Sequence, residues 1–432
     1  MTTSRRRFLA GAAGTAAVGA LAACGSGSGG SAGGSTPGGP VTLRFTWWGN
    51  EVRNKNTQAV IDAYMKANPS VTIKPEPGEW SAYWDKLSTQ MAGGDAPDII
   101  QMDEQYLQDY SKRGALADLS KLPVKTDKFS KGLVETGTVG GKVTALCAGV
   151  NALCFVANPA FLSEVGVALP DDKTWTWESF LEWGKAVAVK KPGSFAINGA
   201  VFGDSVARAW LFQKGKALFT ESGLGWEPAD LQSLFELMMR YLEAKVIPSP
   251  AENAEELTKP IAQNIFSTGR TALVLCWSNQ VTAFQAAVGK PLQILRIPSM
   301  DGTAKGANLW YKSGQYQAIS ARSKNQEAAA RFLDFYFNSD EAGDALLAER
   351  GLPPNTEILT RITPKLGDAD KKAAEYLKVI EPDLRDAPKP PPPGVATFQT
   401  VMNRYIQDVQ FGRKSAADAA RGLYDEAKGM VK

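Results

Sequence analysis

The sequence predicts an α/β protein of two lobes, each a mostly parallel sheet flanked by helices. Two observations lead there. The front of the folded region alternates strand, helix, strand, helix, strand. That region, from Val41 onward in a chain of 432 residues, also exceeds the ~250–300 residues that one hydrophobic core organises.

Residues 41–47 alternate strictly, with Val41, Leu43, Phe45 and Trp47 on one side, and read as a strand. Residues 54–67 put Val60, Ile61, Tyr64 and Met65 on one helical face, and Asn68-Pro69 stops the helix. A strand at 71–73, a helix at 81–92, the break Gly93-Gly94 and a strand at 97–102 complete the βαβαβ pattern. Such a pattern requires a largely parallel sheet covered by helices, with ligands beyond the carboxyl ends of the strands. Helices dominate later, at 328–337, 395–409 and 415–428; Pro390 to Pro393 form a stiff polyproline spacer between elements.

The N terminus reads differently. Arg5, Arg6 and Arg7 precede a run of small apolar residues at 10–23 that contains no acid, which is a secretory layout resembling a twin-arginine export signal. Leu21, Ala22, Ala23 and Cys24 resemble a lipobox, so 1–23 is expected to be removed and Cys24 to carry lipid. Residues 24–40, rich in Gly and Ser without charge or large apolar side chains, form a flexible tether. The expected location is the outer face of the cell membrane, reached through the lipid anchor alone.

The chain has 48 basic and 45 acidic residues, and removal of the three signal arginines balances them, which argues against nucleic acid as a partner. With no histidine, Ser-His-Asp and Cys-His catalysis and most zinc sites are excluded; carboxylate chemistry survives. No cofactor or metal spacing stands out. Cys147, Cys154 and Cys276 either remain small buried side chains or pair as Cys147 with Cys154, leaving Cys276 alone.

Several segments together resemble the extracellular solute-binding proteins of ABC importers that take up carbohydrates, the maltose-binding-protein-like family. They include Tyr83-Trp84-Asp85-Lys86-Leu87, residues 94–100 and 113–119, residues 141–158, Thr176-Trp177-Glu178, residues 266–278, and residues 327–335, 339–343 and 350–355. The resemblance covers essentially the whole mature chain. It departs at Cys147, where the family often has proline, and at 214–226, which follows the family's Gly-rich stretch loosely. It implies the two-lobed periplasmic-binding-protein fold with a hinge of crossing segments, lobe 1 comprising 41–149 and 272–317 and lobe 2 comprising 150–271 and 318–432. It also implies a monomer that binds a carbohydrate and delivers it to permease subunits.

A sugar offers flat apolar faces and a rim of hydroxyls, so its site needs aromatic platforms and planar side chains that donate and accept together. Eleven tryptophans are available. Trp47 and Trp48 must face opposite ways at the end of the first strand, and Trp48 is the candidate, with Gly49 admitting a close backbone approach. Of Trp80 and Trp84, one is expected to face ligand. Gln101, Asp103 and Glu104 follow the third strand at the same edge. Asn151, Trp277, Asn279, Trp310 and Tyr316 flank the crossing segments, and Asp204, Trp210 and Trp226 are second-lobe candidates, whereas Trp175, Trp177 and Trp183 read as packing.

The alternatives are a secreted carboxylate enzyme acting on polysaccharide and an adhesive lipoprotein. Asp103 and Glu104, adjacent in extended chain, point apart and make a poor acid and nucleophile pair. Replacing Cys24 with Ala should move the protein from the membrane to the soluble fraction in cell fractionation, while its affinity for ligand in solution stays unchanged.

Overall fold

Residues 39–49, 51–130, 132–220 and 223–431 are described in a computed structural model. The signal segment, Cys24 and nearly all of the tether at 24–40 lie outside them. β1 (Val41–Trp48), α1 (Glu51–Ala67), β2 (Val71–Gly78), α2 (Trp80–Ala92), β3 (Ile99–Met102) and α3 (Glu104–Lys112) follow in the expected order. β1 lies between β2 and β3, parallel to both, with Val41 opposite Val71 and Phe45 opposite Ile99. The alternation of β1 divides its side chains: Leu43, Phe45 and Trp47 pack with α1 residues Val60, Ile61 and Tyr64, while Trp48 turns to the other face with Tyr83, Trp84 and Leu87 of α2.

A hairpin, β4 (Thr138–Val139) and β5 (Lys142–Val143), precedes β6 (Leu146–Asn151) and β7 (Leu153–Ala157). Only Ala152 separates the last two, yet β6 belongs to the first sheet, ordered β2-β1-β3-β13-β6, and β7 to the second, ordered β12-β7-β11-β8. In the second lobe come α4 (Pro159–Val165), α5 (Trp177–Lys190), β8 (Phe195–Ile197), α6 (Asp204–Gln213) and a small hairpin, β9 (Ala217–Phe219) with β10 (Leu224–Gly225). Then follow α7 (Pro228–Glu243), α8 (Pro250–Glu256), β11 (Thr271–Trp277), α9 (Val281–Val288) and β12 (Gln293–Leu295). Local chemistry fixes the helix starts: Asn158 accepts from the Phe161 amide ahead of Pro159, and Thr176 and Ser179 form a reciprocal cap on α5.

β13 (Lys312–Ile319) returns to the first sheet between β3 and β6. α10 (Gln326–Asn338) and α11 (Asp340–Leu346) then cover that sheet, Phe332 meeting Phe45 edge-on at 5.7 Å between centroids. α12 (Thr356–Ile362) and α13 (Asp368–Ile380) follow, and α14 (Phe398–Gln410) and α15 (Ala416–Met430) pack on α7 in the second lobe. Between α13 and α14 the proline strap reaches back to lobe 1, where Gln108 Nε2 of α3 donates to Pro390 O at 3.1 Å.

The two-lobed α/β architecture stands, with two corrections. The sheets are mixed, because the strands that cross between lobes run against their neighbours: β13 is antiparallel to β3 and β6, and β7 to β11 and β12. The segment boundaries also shift. Residues 272–277 and 293–295, expected in lobe 1, are strands of the second sheet, whereas α10, expected in lobe 2, buries Phe332, Leu333 and Tyr336 on the first. The return crossing therefore lies between β12 and β13, and strand partners decide this. All three described cysteines are free and buried, and Cys154 faces Cys276 rather than Cys147, with 3.9 Å between sulfurs.

The crossing strand β6 is overlaid by a third connection, in which Val150 and Leu352 exchange backbone hydrogen bonds of 2.8 and 3.1 Å. That approach needs Gly149, since a Cβ there would sit 2.1 Å from Arg350 O. Gly149→Ala should therefore lower unfolding free energy by about 1–3 kcal/mol, read from urea denaturation; an unchanged midpoint would show that the crossing segments yield freely.

Candidate functional site

β1 and β3 end at the same edge of the first sheet, where a parallel sheet exposes its carboxyl termini to a ligand. Trp48 does not itself line that edge. It is 8% exposed and wrapped by Trp80, Tyr83 and Trp84 at 5.0, 5.1 and 5.5 Å. Trp84 stacks on Tyr106 at 3.7 Å and is buried, while Trp80, at the start of α2, is 42% exposed. The aromatic cluster thus presents Trp80 as its free face, supported from below by Trp48. Gly49 makes room for Arg53 rather than for ligand, because a Cβ there would meet the Arg53 side chain at 2.3 Å.

Asp103 caps α3 by accepting from the Gln105 amide at 3.0 Å, which leaves Glu104 in the first turn to face the second lobe. Arg208, one turn into α6, reaches Glu104 at 3.6 Å, and both side chains are about nine-tenths covered (12% and 13% accessible). A chamber of about 190 Å³ is lined by Glu104 and Gln105 from lobe 1, Asp204, Ser205 and Arg208 from lobe 2, and Lys312 and Trp277 beside the crossing strands. Lys312 Nζ stands 5.2 Å from the centre of the Trp277 ring, a cation–π arrangement. Gln399 Nε2 donates to Asp204 Oδ1 at 3.3 Å.

The carboxylates are pushed in different directions. Burial pushes Glu104 up, but the cations Lys312 and Arg208 outweigh it and hold the group below its ordinary value. Burial dominates at Asp103 and Asp204 and raises both, with Lys312 and Arg208 offsetting only part of the effect.

Other sequence candidates are structural. Gln101 is buried, donating to Trp48 O at 3.1 Å and accepting from Arg350 Nε at 3.2 Å. Asn151 is buried against Gly314 and Gly351 in the hinge. Trp310 lies in the core between Phe212 and Trp277, Tyr316 is buried in the first lobe, and Trp226 packs against Tyr424. Trp210 is buried and donates to Asp230 O at 3.0 Å. Asn279 is half-buried in the turn after β11, whose neighbouring residue Gln280 is the one lining a cavity. Of the residues beside the crossing segments, Trp277 lines the chambers, while Asn151, Trp310 and Tyr316 are packed into the hinge and core.

The structure adds Arg208, Lys312 and a polar stripe on α14, where Gln399, Asn403 and Gln407 recur every four residues beside a second chamber. That spacing is visible in the sequence, one position after the apolar row Phe398, Met402 and Ile406 that attracts the eye.

The model of the bacterial extracellular solute-binding protein family matches residues 59–374. The chain belongs to that family. Among relatives, this solute-binding protein is 26% identical over 354 residues to an uncharacterized lipoprotein of Streptomyces antibioticus, covering 76% of this chain and 74% of the other. It is 25% identical over 315 residues to the diacetylchitobiose-binding protein of Streptomyces coelicolor, covering 70% of each. A solved periplasmic oligogalacturonide-binding protein from Yersinia enterocolitica superimposes with a TM-score of 0.78 at 22% identity, over 90% of this chain and 98% of that one. Among the described residues no helix is long and apolar enough to cross a membrane.

The Glu104–Arg208 pair links the lobes, and its pH dependence has a definite sign. With the folded-state pKa of Glu104 depressed, its contribution is complete above the unfolded value of about 4.3 and is lost as pH falls through the folded value. The melting temperature of the parent should exceed that of Glu104→Gln at neutral pH, and the gap should close on acidification.

Proposed function

We propose that this solute-binding protein captures a sugar or oligosaccharide between its lobes and hands it, unaltered, to the permease of an ABC importer, while a lipid on Cys24 holds it at the outer face of the membrane. The single observation that carries this reading is the chamber where α3 of one lobe meets α6 of the other. It combines an aromatic ring, Trp277, with hydroxyl, carboxamide and paired ionic groups supplied from both sides. Those groups can satisfy a rim of hydroxyls while the ring takes a pyranose face. Closing the lobes would complete the site and opening would release its contents, the hinge-closure scheme of two-lobed binding folds. The likeness to a diacetylchitobiose-binding protein and to a periplasmic oligogalacturonide-binding protein supports a carbohydrate as cargo. The protein acts as a monomer in this reading.

One observation favours a second reading. Asp204 held above and Glu104 below their ordinary values is the split that a glycosidase uses for acid and base. The engagement of Glu104 with Arg208 and membership in a binding family favour capture. Product formation that disappears in Asp204→Asn would establish hydrolysis instead.

A thermal-shift screen of mono- and oligosaccharides tests the main reading, since a ligand at about a hundredfold its dissociation constant adds about 2.7 kcal/mol to stability. Trp277→Ala and Trp80→Ala should each weaken binding of the best sugar by roughly two- to thirteenfold, as expected for the loss of about 0.5–1.5 kcal/mol of stacking. Parent-like affinity in both variants, measured by calorimetry, would displace the site from this cleft.

A further inference from the structure

The second lobe holds its own chamber of about 190 Å³, adjoining the interlobe one across Asp204, Ser205, Trp277 and Gln399, which line both. Carboxamides dominate its polar wall: Asn253 from α8, Gln280 after β11, and Gln399, Asn403, Gln407 and Gln410 from α14. Spacing of four residues places the first three of the α14 group on one face of the helix. The rest of the wall includes Leu153, Leu257, Leu275 and Ile406, and Leu257 is 50% exposed. Asp204 is the one charged residue among those lining the chamber, and no lysine or arginine is among them.

This polar wall has free hydrogen-bonding capacity. Asn253 does not supply it: it donates from Nδ2 to Pro248 O at 2.9 Å, and its partnerless Oδ1 is buried against Gly199. Gln280 commits Oε1 to the Trp277 amide at 3.1 Å and keeps its amino group available. Among the described residues, the side-chain amides of Asn403 and Gln407 hydrogen-bond to no other group of the chain. Asn403, Gln407 and Gln280 are half-buried, so their free amide groups can turn to a ligand that offers matching donors and acceptors, which a purely apolar one does not.

A carboxamide presents an acceptor and two donors in one plane. Its natural complement is another planar amide, and the leucine and isoleucine side chains between the amides suit a methyl group. A carboxylate entering here would meet Asp204, and no lysine or arginine lines this chamber to offset it. We propose that this chamber is a subsite for the acetamido group of an N-acetylated amino sugar, whose ring lies against Trp277 at the mouth. The chamber is smaller than the ~300–1,000 Å³ of a complete small-molecule site, so it takes a substituent or one ring while the remainder of the ligand occupies the space between the lobes.

This subsite rests on the sugar-binding reading, and the test separates the two. Calorimetry on the purified chain compares matched pairs: N-acetylglucosamine with glucose, its β-1,4 dimer with cellobiose, and N-acetylgalactosamine with galactose, with digalacturonic acid alongside. The acetylated member of at least one pair should bind tenfold or more tightly than its partner, and digalacturonic acid more weakly than either. Asn403→Leu and Gln407→Leu, checked for parent-like melting, should bring that ratio down toward one. Equal affinities within every pair, or a ratio that both variants leave intact, would overturn the acetamido subsite and leave a general sugar-binding protein. Failure of every sugar to bind would remove both readings together.

Discussion

One run of chain, residues 146–157, is hydrogen-bonded into two sheets at once, and the rest of the molecule is arranged about it. Its first half pairs with β13 in the first lobe, its second half with β11 and β12 in the second, and a single alanine separates the halves. A β-strand has obligatory partners for its backbone groups, so each lobe must assemble on its own half. The side chains along the run are buried throughout. The backbone passes from one sheet to the other at Ala152.

The same constraint places the cleft. Because β1 and β3 run in parallel toward the second lobe, their carboxyl ends, the start of α2 and the start of α3 arrive at one edge. Asp103 spends its carboxylate on capping α3, and that orders the helix whose next residue, Glu104, reaches Arg208. Both partners are largely withdrawn from water, and Lys312 and Asp204 stand nearby, so the cleft is lined by charges that offset one another instead of a net field. A lining of that kind matches a neutral ligand rich in hydroxyls better than an ion, since a bare charge would have to displace an existing partner.

Tryptophan illustrates how one residue type serves unlike ends. Trp47 is core, with its Nε1 donating to Asn54 Oδ1 at 2.8 Å, and Trp175, Trp177, Trp226 and Trp310 are buried too. Trp80 stays exposed at the start of α2, and Trp277 is half-buried on the wall of both chambers. Nothing in a tryptophan's immediate neighbours separates these cases, because exposure depends on which helices from distant parts of the chain come to lie over the ring.

By itself the sequence determined the βαβαβ start, the helices at its end, the opposite facing of Trp47 and Trp48, the two-lobed α/β class and the family. Each of these follows from periodicity of two or 3.6 or from motifs in order, and such signals are local. Lobe membership of 272–295 and of α10, the antiparallel partners of the crossing strands, the burial of Gln101, Asn151 and Tyr316, and the meeting of Glu104 with Arg208 were decided only in three dimensions. They depend on contacts between residues scores of positions apart, and strand pairing and side-chain burial at that range are set by the packing of the whole.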